Sequence, residues 1–218
     1  MEGKAEGGRV QRPGKIIGVG RNYVEHAAEL GNSVPKQPLL FLKPPSAVIG
    51  DGESIVLPPE STQVEYEGEI GVVIGKRVRR ASEATARAAI AGITCVNDVT
   101  ARDLQRSEEL WTRAKGFDTF CPLGPRVVAV DPAHFGALEV RCRVNGVERQ
   151  HGRASDMVFG IVALVTYASQ VMTLEPGDLI ATGTPSGVGP LRPGDVVEVE
   201  IPEVGVLRNP VVAAPRSA

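Results

Sequence analysis

The segment VEYEGEIGVVI at residues 64–74 has the pattern of a β-strand that begins polar and ends inside a protein core. Its glutamates, Glu65, Glu67 and Glu69, stand at every second position. Alternate side chains of a strand lie on one face, so we expect these carboxylates about 7 Å apart along the same face. The apolar run 70–74 predicts burial on both faces. A carboxylate beside such a run needs a counter-charge.

Three arrangements could supply that counter-charge or remove the need for it. The glutamates could lie on a solvent-facing strand edge, be neutralised by arginines, or bind a hard cation through oxygen ligands. The buried run after Glu69 favours the cation. Strand spacing alone does not distinguish Glu67 and Glu69 from Glu65 as ligands.

Outward from this segment, short β-branched runs alternate with glycine and proline, of which the chain has 25 and 17. This punctuation predicts a strand-rich α+β fold with a mixed, strongly bent sheet, rather than a doubly wound one. Asn145-Gly146 predicts a type I′ hairpin. Strands are predicted at 15–20, 39–42, 54–57, 65–74, 92–97, 126–129, 138–144, 147–150, 178–181 and 196–201.

Helices are predicted to be few. Local end signals place them at 23–30, with Asn22 as N-cap and Gly31 after the end; at 83–91, capped by Ser82; and at 156–172, capped by Ser155. A shorter helix is expected after Thr100. Residues 157–174 carry no charge, but polar side chains interrupt the run, so a buried helix is predicted rather than a membrane span.

Length and charge predict one catalytic domain at 14–212, with a flexible arm at 1–13 and a tail at 213–218. The 218 residues include 24 Lys+Arg and 26 Asp+Glu without a basic stripe, so no nucleic-acid partner is expected. The arm has no apolar core, and neither a signal peptide nor a membrane anchor is predicted. Three widely spaced cysteines predict reduced thiols and a cytoplasmic location.

Asp98 is a second candidate for the carboxylate site. Residues 93–104 lead from a strand through a polar turn into a helix, and Asp98 lies at the end of that strand. Helix capping, with Thr100 and Asp103 in the same pattern, explains this segment slightly better on local evidence alone.

Five segments together are similar to the fumarylacetoacetate hydrolase family and occur in its order across residues 15–212. The resemblance implies the mixed, bent β-sheet roll of the family's C-terminal domain, with a few peripheral helices. The segments are GVGRNY at 18–23 with His26 and Glu29, FLKP at 41–44, ExExGVV at 67–73, NDVTARD at 97–103 and GTPxGVG at 183–189.

The resemblance implies that Glu67, Glu69 and Asp98 bind Mg²⁺ or Mn²⁺, for which Ca²⁺ could substitute. It leaves Glu65 outside the metal site. Three carboxylate ligands leave room for water and a bidentate substrate in an octahedral shell.

The resemblance also implies catalytic roles for His26, Glu29 and Lys115. His26 and Glu29 are three residues apart on one helical face; spacing alone favours a surface pair, whereas hydrolytic relatives use such a pair as a general base on a lid helix. Lys115, by default a solvated lysine, would stabilise enolate charge.

For substrate binding, the family pattern implies Thr184, Gly183 and Gln105. The glycine-rich segment 182–189 lacks the Gly-Lys-Ser/Thr ending of a phosphate loop, and we expect its hydroxyl and amide groups to bind a substrate carboxylate. Further contacts or ordinary structural roles are open for a second set: Arg21, Tyr23, Lys43 and Arg102.

These features predict a hydrolase that cleaves a carbon–carbon bond in a 2,4-dioxo acid of the acylpyruvate type. An isomerase or decarboxylase of a 2-oxo or 2-hydroxydienoate dicarboxylate is the alternative, and a non-catalytic metal-stabilised or sugar-binding domain is a third reading. The expected partners are a small 2-oxo acid and, by family resemblance, a second copy of the chain in a homodimer. No membrane partner is expected.

Overall fold

A seven-stranded mixed sheet forms the frame of the computed structural model, which describes residues 12–29, 31 and 33–215. The segment 68–74 forms β6 and pairs with strands on both sides, which explains its continuous apolar run. Numbered along the chain, the strands lie in the order β2 (Leu39–Lys43), β1 (Ile16–Gly20), β12 (Leu179–Ala181), β6 (Gly68–Ile74), β7 (Ile90–Asn97), β9 (Cys121–Val128) and β3 (Val48–Ile49).

Two smaller sheets complete the curled β-structure. A close approach at Gly68 brings the second sheet against β6, because a Cβ at this position would lie 2.9 Å from that of Cys142. The second sheet runs β11 (Val147–Arg153), β10 (Glu139–Val144), β14 (Val196–Ile201), β15 (Gly205–Ala213) and β4 (Ile55–Leu57); the third runs β13 (Gly189–Pro190), β5 (Val64–Tyr66) and β8 (Thr100–Ala101). The predicted strand-rich fold with a mixed, bent sheet is confirmed.

In the part of the chain that the structure describes, five short helices lie around these sheets. They are α1 (Val24–Glu29), α2 (Glu83–Ala89), α3 (Arg102–Ser107), α4 (Thr112–Gly116) and α5 (Ile161–Val171), with 3₁₀ turns at Pro45–Ala47, Pro132–Ala137 and Ala154–Asp156. The Ser82 hydroxyl accepts a hydrogen bond from the Thr85 amide, as an N-cap does. Asn145 and Gly146 both have positive φ, 54° and 77°, in the β10–β11 hairpin, as a type I′ turn requires.

The predicted start of the last helix was wrong by five residues. Its N-cap is Gly160 rather than Ser155, because the preceding residues are held by the segment before α1. The Val158 amide donates to the Asn22 carbonyl, and the Asn22 side chain bonds both the amide and the carbonyl of Phe159. Asn22 therefore links two segments rather than capping α1.

The predicted strand 65–74 is interrupted at Glu67. Residues before the interruption join the third sheet and residues after it join the first. The long strand β15 was missed because Asn209 and Pro210 read as breakers, yet it pairs along β14 from Gly205 to Pro210. The predicted arm lies outside the described residues through position 11, as do positions 216–218 of the predicted tail.

The core lies between the sheets and under α5. Leu164, Val165 and Ala168 of this helix are buried, and burying each larger apolar side chain stabilises the fold by about 1.5–3 kcal/mol. Within the described residues, no helix combines the length and apolarity needed to cross a membrane.

Candidate metal centre and cavity

Three carboxylates converge where β6 and β7 end. Glu69 lies in β6, Glu67 occupies the junction between β5 and β6, and Asp98 follows β7. The antiparallel register pairs Gly68 with Asn97, and the Asp98 amide donates to the Glu67 carbonyl at 2.8 Å. Ligand atoms of the three carboxylates lie within 4.8 Å of one another, and all three residues are buried. The structure thus brings together the three residues expected to bind metal.

Two buried lysines neutralise part of this charge. Lys115, 2% exposed on α4, donates to Glu67 at 2.9 Å and to Asp98 at 2.5 Å. Lys43, at the end of β2, contacts the other Asp98 oxygen at 2.5 Å. Each oxygen of Asp98 therefore has its own lysine. Burial lowers the pKa of Lys115, but Asp98 and Glu67 outweigh it and raise the pKa above its ordinary value, so Lys115 is a cation here.

Arg102 bridges Glu65 and Glu67. Its Nε donates to Glu65 at 2.7 Å, its Nη2 to Glu67 at 2.6 Å and its Nη1 to Gln105 at 2.5 Å. Glu65 is paired with Arg102 and does not belong to the group of three converging carboxylates; its place outside the metal site stays a prediction. Two of the arrangements considered for these glutamates therefore occur together. Glu65 is paired with an arginine, and Glu67 and Glu69 belong to a carboxylate cluster that could hold a cation.

The pKa values of Glu67 and Glu69 shift in opposite directions. Burial raises the pKa of Glu67, but the charges of Lys115 and Arg102 bring it below its ordinary value. The pKa of Glu69 is raised well above its ordinary value by burial and then by the charges of Asp98 and Glu67. The Glu69 carboxylate accepts the Gly183 amide at 2.8 Å. Within the described residues it has no lysine or arginine partner at ion-pair distance. An ionised Glu69 carboxylate therefore has no side-chain cation to balance its charge among the described residues.

The donor set fits a divalent metal. Carboxylate oxygens are the ligands that Mg²⁺ and Mn²⁺ prefer, whereas Zn²⁺ favours imidazole or thiolate. With Glu65 included, four carboxylates face three cationic side chains. A cation near Glu69 would relieve the remaining repulsion.

Replacing Glu69 with glutamine should raise the unfolding temperature of the metal-free protein, because a neutral side chain no longer repels Glu67 and Asp98. The same variant should lose stabilisation by Mn²⁺, which at 100 times the dissociation constant contributes about 2.7 kcal/mol in the wild type. Thermal unfolding with and without Mn²⁺ measures both effects. Glu203→Gln, on the exposed surface, is the control and should retain the Mn²⁺ response; an equal response in Glu69→Gln would contradict this ligand.

Glu67 and Glu69 line a cavity of about 290 Å³, near the lower end of small-molecule sites. Phe41 and Trp111 form an edge-to-face pair in its wall, and the Lys115 ammonium lies 5.0 Å from the Phe41 ring. The polar lining residues are Arg21, His26, Glu67, Glu69, Arg102, Gln105, Arg106, Lys115 and Thr184.

His26 and Glu29 form the expected pair on α1. The distance from His26 Nδ1 to the Glu29 carboxylate is 3.2 Å, and Glu29 also accepts the Gly187 amide at 3.0 Å. His26 lines the cavity, whereas Glu29 is exposed and is not among the lining residues. Because Nδ1 faces Glu29, the Nε2 atom is left for a ligand. Close packing requires the glycine at position 18 of β1, where a Cβ would lie 2.1 Å from the Phe41 ring.

The glycine-rich segment contributes Thr184 to the cavity and Gly183 to the support of Glu69. The Thr184 hydroxyl donates to the Gly68 carbonyl at 2.9 Å and accepts from Gln150 at 2.8 Å. Because the Gly183 amide is already bonded to Glu69, a substrate carboxylate would have to share it. The substrate roles of these two residues and of Gln105 stay predictions.

Two residues of the site had weak sequence signals. Lys43 was left open between a further substrate contact and an ordinary structural role, although a lysine ending an apolar strand indicates a buried counter-charge. Arg106 was not singled out. It lies four residues after Arg102 in α3, so helical spacing places these two arginines on the same face.

The fold and the site together define a class of protein: strand-rich domains with three buried carboxylates and two buried lysines beside a cavity. Within this class, the family model described as fumarylacetoacetate (FAA) hydrolase C-terminal matches residues 15–212. The chain belongs to the fumarylacetoacetate hydrolase family.

Several relatives have names that state an isomerase or a tautomerase reaction. The mitochondrial oxaloacetate tautomerase FAHD2A of Bos taurus is 46% identical over 213 residues, covering 93% of this chain and 68% of the relative. The structure of 5-carboxymethyl-2-hydroxymuconate delta-isomerase from Mycobacterium smegmatis has 47% identity and a TM-score of 0.86, with 94% and 81% of the two chains covered. That of 2-hydroxyhepta-2,4-diene-1,7-dioate isomerase from Mycobacterium marinum has 47% identity and a TM-score of 0.85, with 94% and 77% covered.

Proposed function

We propose that the protein is a Mg²⁺- or Mn²⁺-dependent isomerase of the tautomerase type, acting on a small 2-oxo acid. The observation that carries the proposal is Lys115, a buried cation within hydrogen-bonding distance of Glu67 and Asp98 and in the wall of the cavity. A fixed positive charge in a site shielded from water stabilises an enolate, the common intermediate of tautomerisation and of double-bond migration.

Glu67, Glu69 and Asp98 would hold the metal. When bound, the metal supplies Lewis-acid polarisation of the 2-oxo group. Lys115 places its ammonium beside the developing enolate oxygen. His26, oriented by Glu29, moves a proton at Nε2: it takes the proton from the carbon next to the oxo group and returns it to oxygen or to a more distant carbon. The proton and the electron pair both stay with the substrate, so no co-reactant is needed.

Hydrolysis of a 2,4-dioxo acid was the first expectation from sequence, and it stays the second candidate. The specific observation in its favour is the His26–Glu29 pair, which could equally direct a water molecule. The names of the three relatives described above favour isomerisation over hydrolysis. Isomerisation also uses the same residues without an attacking water molecule.

A substrate panel with and without Mn²⁺ tests the choice. We expect metal-dependent interconversion of enol and oxo forms of oxaloacetate, or migration of the double bonds in a 2-hydroxydienedioate, followed by the change in enol or diene absorbance. Release of pyruvate from an acylpyruvate, faster than any isomerisation, would support the hydrolase instead. Binding of Mn²⁺ without turnover of any member would favour the non-catalytic reading.

A further inference from the structure

Gln150 is a buried carboxamide that connects the second sheet to the glycine-rich segment. It lies in β11, the edge strand of that sheet, and is 2% exposed. Its Oε1 atom accepts the Gly68 amide at 2.9 Å, and its Nε2 atom donates to the Thr184 hydroxyl and to the Pro185 carbonyl, each at 2.8 Å. Because a backbone amide only donates and a backbone carbonyl only accepts, these contacts fix which end of the carboxamide is oxygen and which is nitrogen.

The Thr184 hydroxyl closes a cycle of three hydrogen bonds around Gly68. The hydroxyl has one proton, which it donates to the Gly68 carbonyl at 2.9 Å, while its oxygen accepts from Gln150. Both backbone groups of Gly68 are therefore bonded to side chains. The neighbouring strand β12 pairs with β6 only from Gly71 to Val73 and does not reach this residue. The two side chains thus satisfy buried backbone groups that would otherwise lack a partner.

This hydrogen-bond cycle holds the backbone between two of the three candidate metal ligands. Gly68 separates Glu67 from Glu69, where β5 ends and β6 begins. The Glu69 carboxylate accepts the amide of Gly183 at 2.8 Å, and Gly183 directly precedes the threonine of the cycle. Glu69 is therefore supported twice, at its backbone through Gly68 and at its carboxylate through the glycine-rich segment.

Close packing fixes the glycine-rich segment against β11 on both sides of Gln150. A Cβ at Gly152 would lie 2.7 Å from the Pro185 side chain, and a Cβ at Gly187 would lie 2.0 Å from the Arg149 carbonyl oxygen. Gly187 also has a φ of 97°, in the left-handed region that favours glycine. A larger side chain at either position would displace the segment, and with it the partners of Gln150.

From these contacts we infer that Gln150 is a positioning residue of the candidate metal centre, which holds Glu67 and Glu69 where they bind the ion. The inference rests on the metal ion of the proposed function. Gln150 is not among the residues that line the cavity, so it acts through Gly68 and Thr184 rather than by touching a substrate. Residues that orient metal ligands from outside usually contribute about 10- to 100-fold to metal affinity.

The variant Gln150→Met tests the inference, because methionine has a similar length but can form none of the three hydrogen bonds. We expect the Mn²⁺ affinity of the protein, measured by isothermal titration, to fall by about 10- to 100-fold. The unfolding temperature should fall as well, since buried backbone groups lose their partners. The affinity of the folded variant is decisive, because a loss of stability alone would leave it unchanged.

Asn209→Leu is the matched control. Asn209 is also a buried carboxamide, 2% exposed, and its Nδ2 atom donates to the carbonyls of Gly50 and Glu53. None of these three residues lines the cavity. The variant should lower the unfolding temperature, but it should retain Mn²⁺ affinity within about twofold, because distant sites act independently.

Thr184→Val removes two of the three bonds of the cycle and leaves Gln150 in place. Mn²⁺ affinity should fall here too. The double variant with Gln150→Met should lose no more than about the larger of the two single losses, since either substitution already breaks the same cycle. Circular dichroism identifies any variant that does not fold. If Gln150→Met is such a variant, Thr184→Val decides the result.

Wild-type Mn²⁺ affinity in folded Gln150→Met would overturn the inference, as would an equal loss of affinity in Asn209→Leu. Unchanged affinity in Thr184→Val, or losses that multiply in the double variant, would also overturn it, because Gln150 would then not act through Thr184. A wild type that binds no Mn²⁺ would remove both this inference and the metal of the proposed function. If affinity falls as expected but the wild type isomerises no 2-oxo acid, the positioning role stands and the proposed reaction fails.

Discussion

Replacing Lys115 with methionine is expected to lower metal-dependent turnover by about 10²- to 10³-fold, the usual effect of removing one preorganised donor to a developing oxyanion. The same change should tighten Mn²⁺ binding, because Glu67 and Asp98 lose the cation that now shares their charge. Removing one partner of a buried ion pair should also lower the unfolding free energy of the metal-free protein by about 3–5 kcal/mol. Added Mn²⁺ should restore much of that loss.

Steady-state kinetics, Mn²⁺ titration and thermal unfolding measure these three effects on one variant. Lys76→Met removes an exposed lysine and should change none of them. Near-normal turnover in Lys115→Met would eliminate an enolate-stabilising role. Weaker Mn²⁺ binding would mean that Lys115 organises the carboxylates rather than competing with the metal.

Replacing His26 with alanine is expected to lower kcat by about 10²- to 10⁴-fold, the usual contribution of a general acid–base group, with Mn²⁺ affinity unchanged. The His26 side chain lines the cavity, and it does not belong to the group of residues that would bind the metal, which consists of three carboxylates. Turnover and metal titration are measured on the same preparation, and added imidazole should restore part of the rate. His134→Ala, at an exposed position, is the control.

This variant also separates the two candidate reactions. If tautomerisation persists in His26→Ala while pyruvate release from an acylpyruvate disappears, His26 serves water attack and the hydrolase is favoured. Loss of tautomerisation supports proton transfer at Nε2. Unchanged rates for both reactions would exclude His26 from the chemistry.

Local patterns predicted the centre of the fold and part of the site. The run 70–74 identified a buried strand, because only a strand covered on both sides tolerates continuous apolar residues. Alternating glutamates indicated excess negative charge beside it. Their spacing could not reveal that the strand breaks at Glu67, and the inclusion of Asp98 depended on family resemblance, since its proximity arises from the β6–β7 register.

The remaining misses arise from contacts between distant segments. Asn22 binds Phe159 across more than a hundred residues, so the signals around Ser155 could not place the start of α5. Asn209 and Pro210 are poor strand residues, yet β14 supplies a partner for β15. The Asn209 side chain also donates to the Gly50 and Glu53 carbonyls. Tertiary contacts override local preference at these positions.

The short segment from Asp98 to Arg106 has a consequence for how the family could diversify. It carries a candidate metal ligand at its start and, on α3, Arg102, Gln105 and Arg106 along one side of the cavity. Because α3 lies at the periphery of the sheets, substitutions at Gln105 and Arg106 can alter what the cavity accepts while the paired strands stay intact. Substitutions in one short helix would thus be enough for evolution, or for a protein engineer, to exchange substrates on an unchanged scaffold.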